Sequence, residues 1–104
     1  MPYIVQSDRH LFEPALKELK AVVDQRGLSN GELNYLMTML GLIYTHKHGV
    51  SYNILSDVIK AYECAKLEFY RRKVAPYEDL CIARNGDVYF DDGPTIKKQK
   101  AKSA

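Results

Sequence analysis

SYNILSDVIKAYECAKLEFYRRKV, residues 51–74, is the most regular periodic stretch of the chain. At about 100° per residue, Val58, Ile59, Tyr62, Ala65 and Phe69 fall within about 80° of Leu55, and Ile54, Ala61 and Tyr70 widen that arc. Ser56, Asp57, Lys60, Glu68 and Arg71 take the opposite, solvated side. Ser51 stands where a hydroxyl can accept from an orphan backbone N–H. Arg71, Arg72 and Lys73 crowd the last turn, where positive charge suits the negative end of the macrodipole. Pro76 is expected to limit the run, because the residue before a proline is pushed out of the α region. The stretch therefore predicts one long amphipathic helix, and with it a helical domain.

Lys66 breaks the pattern. It lies at about 20° on the wheel, inside the apolar arc, with Glu63 one turn earlier and Tyr62 and Tyr70 four residues to either side. Two readings are open. The lysine stem can run along apolar surface and deliver its ammonium to Glu63. Alternatively, a cation in a tyrosine-lined setting can meet an anionic ligand.

Outward from this helix, the other elements carry their own signals. Residues 1–6 are extended, with Pro2 and the β-favouring Tyr3, Ile4 and Val5, and Ser7 and Asp8 are placed to cap a short turn through His10. A first helix is expected near Glu13, with Pro14 in its first turn, where a missing N–H costs nothing. Phe12, Leu16, Leu19 and Val23 recur on one face, and Gly27 ends the helix as a left-handed residue. Ser29-Asn30-Gly31-Glu32 forms a capping box, with hydroxyl first and carboxylate three residues later.

The helix that follows, about residues 30–47, is apolar almost all round. Leu33, Leu36, Met37, Leu40, Ile43 and Tyr44 make one face and Tyr35, Met39 and Leu42 another, leaving Asn34, Thr38, Gly41 and Thr45 as a polar or small stripe. Such a helix must be covered on two sides. In so small a domain the second cover is another helix or a second subunit, so a homo-oligomer is expected, most simply a twofold dimer. A short fourth helix over residues 76–84 carries Glu78 and Asp79 in its first turn, and Asn85-Gly86 stops it. Asp87, Val88, Tyr89 and Phe90 then read as extended and are expected to pair with Tyr3, Ile4 and Val5 as a two-stranded clasp.

At 104 residues the chain is one domain at most. The expected organisation is a single helical domain over residues 1–92 and a disordered Lys-rich tail over residues 93–104. That tail carries Lys97, Lys98, Lys100 and Lys102 and no acid, so the net charge of +2 leaves a body of −2. A tether to nucleic acid is open to the tail. No transmembrane helix or signal peptide is expected. Cys64 and Cys81, without CxxC spacing, read as buried thiols of a reducing, cytoplasmic protein rather than a disulfide or zinc site.

Three segments carry a family resemblance: GELNYLMT (31–38), YECAKLEFYRRKVAPYED (62–79) and NGDVY (85–89). Together they resemble a family of proteins about a hundred residues long, found in tailed bacteriophages and bacteria and catalogued as a domain of unknown function. The resemblance spans roughly residues 1–90. It implies a phage or bacterial cytoplasmic setting (the host cytoplasm for a phage-encoded chain) and no established activity.

The residues themselves supply no catalytic set. His46 and His48 are two apart, about 200° around a helix, and cannot share a face to hold a metal. Glu63 and Glu68 are about 140° apart on the wheel. A magnesium-dependent nucleotide hydrolase would need Glu63 to meet Glu78, Asp79 or Asp87 through the tertiary fold. No Gly-rich phosphate loop and no nucleophile–base set is present, and no cofactor is expected.

Binding remains. Eight tyrosines and no tryptophan make a high tyrosine load, suited to interfaces. Phe69-Tyr70, Arg71-Arg72-Lys73 and Tyr77 interleave aromatics with cations, as phosphates and bases require, although the same residues also serve to cap and pack a helix end. The expected ligand-binding set is Tyr62, Glu63, Lys66, Tyr70, Arg71, Arg72 and Tyr77. The function expected is non-enzymatic binding of a host or phage protein or of a nucleotide-type ligand, with the small hydrolase as the alternative. The expected fold is all-α, with three main helices, a short C-terminal helix and the small terminal pairing.

Overall fold

Local signals place nearly every helix boundary. The computed structural model describes residues 4–90. A 3₁₀ helix, Gln6–Leu11, runs through Phe12 into α1, Glu13–Arg26. Three further α-helices follow: α2, Asn30–His48; α3, Tyr52–Phe69; and α4, Ala75–Asn85. A π-helical turn, Tyr70–Val74, joins α3 to α4. The described residues are thus all-α, with three long helices and a shorter last one.

The capping box is present. The Ser29 N–H donates to Glu32 Oε1 (2.9 Å) and the Glu32 N–H donates to Ser29 Oγ (3.1 Å). Ser51 caps α3, accepting from the Ile54 N–H at 3.2 Å. Gly27 closes α1 with φ 77° and ψ −177°, and its N–H reaches the Val23 carbonyl at 2.7 Å. That ψ lies outside the left-handed helical region expected for this residue; the combination is one that glycine alone adopts readily. The turn before α1 differs in its cap. Ser7 and Asp8 do not cap it from their side chains; the Asp8 N–H bonds the Val5 carbonyl (3.0 Å), and the Ser7 carbonyl pairs with His10 Nδ1 (2.7 Å).

Pro76 does not end the helix. Val74 and Ala75 keep α-region angles, Ala75 at φ −59° and ψ −47° despite preceding a proline. The widened turn supplies the reason. The Ala75 N–H reaches back five residues to the Tyr70 carbonyl, and a π turn opens the backbone locally where the Pro76 ring would otherwise meet the carbonyl of Arg72. Helix therefore continues from Tyr52 to Asn85.

The expected clasp of the termini is not formed among the described residues. Ile4 and Val5 are not in a strand, and neither are residues 87–90; Tyr3 lies outside the described residues. Asp87 Oδ1 instead accepts from the Tyr89 N–H at 3.0 Å, which spends a donor that a ladder would need. Two strands alone would also be marginal. The Lys-rich tail, residues 93–104, likewise lies outside the described residues.

The chain divides into two units, Met1–Ile54 and Leu55–Ala104. Within the first, α1 packs on the 3₁₀ helix and not on α2. Among the described residues none is buried. The apolar faces read as core are open: Leu16 and Leu19 on α1, Leu40 and Ile43 on α2, Ile59 and Phe69 on α3. The cysteines follow the same rule, since Cys64 is exposed and Cys81 half-exposed, both free, where burial was expected.

Candidate functional site

The expected binding residues all lie in the second unit, on α3, the π turn and α4. They resolve into separate pairings. Lys66 Nζ sits 3.5 Å from Glu63 Oε1, one turn back, with the lysine side chain 71% exposed. Arg71 Nη2 donates to Glu68 Oε1 at 2.8 Å, and Arg72 Nη1 lies 3.7 Å from the same oxygen. The Tyr70 hydroxyl donates to Glu78 Oε1 at 2.7 Å. Tyr62 is half-exposed, one turn before Lys66, and Tyr77 is exposed on α4.

Each of these three cations therefore faces an acid. The Arg71 hydrogen bond, aided by both arginine charges, holds the Glu68 carboxyl below its usual range. The bond to Glu78, and then the charge of that carboxylate, push the Tyr70 phenol up from 10.0. Exposed pairs of this kind contribute little to stability, since water screens them.

Two of the acids were not in the expected set. Glu68 is readable in the sequence, because Arg71 and Arg72 stand three and four residues after it. Glu78 is not. Eight residues along a regular α-helix place it about 80° away from Tyr70. The π turn takes up one residue and brings the two onto one side, and Glu78 leans toward the N-terminus as helical side chains do.

Glu63 and Glu78 lie fifteen residues apart along continuous helix, on the order of 20 Å at the helical rise. Glu63 faces Lys66 and Glu78 faces Tyr70. Among the described residues no group of three or more His, Cys, Asp or Glu side chains is placed to hold a metal ion. A shallow depression lies elsewhere, at the C-terminal end of α2, lined by Leu42, Ile43, Thr45, His46, Lys47 and Val50. None of the seven expected residues lines it.

The first unit holds a two-point ion pair between the end of α1 and the start of α2. Arg26 donates to both carboxylate oxygens of Glu32, with Nη1 3.4 Å from Oε1 and Nη2 bonded to Oε2. Together with the Ser29 N–H, that guanidinium holds the Glu32 carboxyl down to about 2. The contact ties the end of α1 to the start of α2.

The geometry defines a class: a helical protein whose apolar helix faces are open and whose exposed charges pair along its helices. Residues 1–88 match the family model described as "Domain of unknown function (DUF6899)", and the chain belongs to that family. Neither the curated proteins nor the solved structures contain a match. Among the described residues no helix is long and apolar enough to cross a membrane.

Proposed function

We propose that the protein is a non-enzymatic accessory protein of phage or bacterial cytoplasm that works by presenting helix faces to a host or phage protein. One observation carries this reading: among the described residues none is buried, while α2 and α3 display contiguous apolar faces. Apolar area of that extent is characteristic of surfaces that bind other proteins. The tyrosines suit the same use, presenting apolar area with a polar end.

The geometry gives a nucleotide-type ligand less support. Lys66 pairs with Glu63, while Arg71 and Arg72 share the one carboxylate of Glu68, so an incoming phosphate would compete with both acids for these cations. Affinity capture from host lysate, run beside turnover and binding assays over a nucleotide panel, tests the proposal. The expected result is a stoichiometric protein partner, no turnover, and capture that survives Lys66→Met. Magnesium-dependent nucleotide hydrolysis abolished by Glu63→Gln would reject it.

A further inference from the structure

We draw no further inference here: the strongest candidate, the apolar face of α2 around Leu40 and Ile43, carries nothing because nothing in the structure shows what covers it.

Discussion

Helix α2 and the continuous helix from α3 to α4 meet water in different ways. From residue 33 to 45 α2 has no charge, and its apolar residues run round both sides. From residue 55 to 85 the chain instead alternates one apolar arc with Glu63–Lys66, Glu68–Arg71 and Glu68–Arg72 pairs. The comparison teaches how many covers each helix needs. A helix with one arc is satisfied by a single partner surface, whereas a helix that is apolar all round stays unsatisfied until two are supplied.

The strongest way to break this comparison is substitution on opposite sides of each helix. Leu40→Ala and Leu42→Ala lie about 200° apart on α2, and each is expected to cost about 2–5 kcal/mol in the assembled protein, as at a covered site. On α3, Ile59→Ala should be costly, while Lys60→Ala should stay within about 0.5 kcal/mol. Urea denaturation at fixed protein concentration measures all four. A neutral Leu42→Ala would reduce α2 to a one-cover helix and erase the difference.

Start signals sharpen it at smaller cost. Ser29→Ala removes the hydroxyl of the capping box and should cost about 1 kcal/mol, measurable in the same titration. The acid limb of stability should report the same junction. Glu32 ionises near 2 in the folded protein against 4.5 in an open chain. Its contribution is therefore complete above about pH 4.5 and is lost as pH falls toward about 2. Glu32→Gln should flatten that limb of a stability–pH profile and leave neutral behaviour dominated by the lost Arg26 contact.

In the second unit, Pro76→Ala should let regular α-helix replace the π turn, rotating Glu78 away from Tyr70. Tyr70 should then ionise closer to 10.0 in ultraviolet titration; an unchanged phenol would mean that the π turn does not depend on the proline. Because that phenol is raised in the folded chain, its bond to Glu78 contributes below pH 10 and is lost as pH rises through the shifted value. The smallest effect belongs to the tail. Deleting residues 93–104 should leave the melting temperature nearly unchanged, since a polar end buries little.

Much of the helical layout was legible because its signals are short. Ser29 and Glu32, Ser51, Pro14 and the glycines at 27 and 86 act over four or five residues, so a start or stop can be read where it stands. The Lys66–Glu63 pair was legible for the same reason, being one helical turn long. Pro76 misled because its effect depends on what the neighbouring turn can absorb; once the backbone opened to a π turn, a helix stop became a continuous helix.

By itself, then, the sequence determined where most helices begin and end and which residues share a face. The three-dimensional structure decided the rest. It left Cys64 and the apolar arcs open, put no strand in residues 87–90, paired Tyr70 with Glu78, and set each of Lys66, Arg71 and Arg72 against an acid. The physical reason is range. Caps and periodicity are fixed by backbone groups a few residues apart, but burial requires a second surface, and whether one is present is a property of the packed assembly.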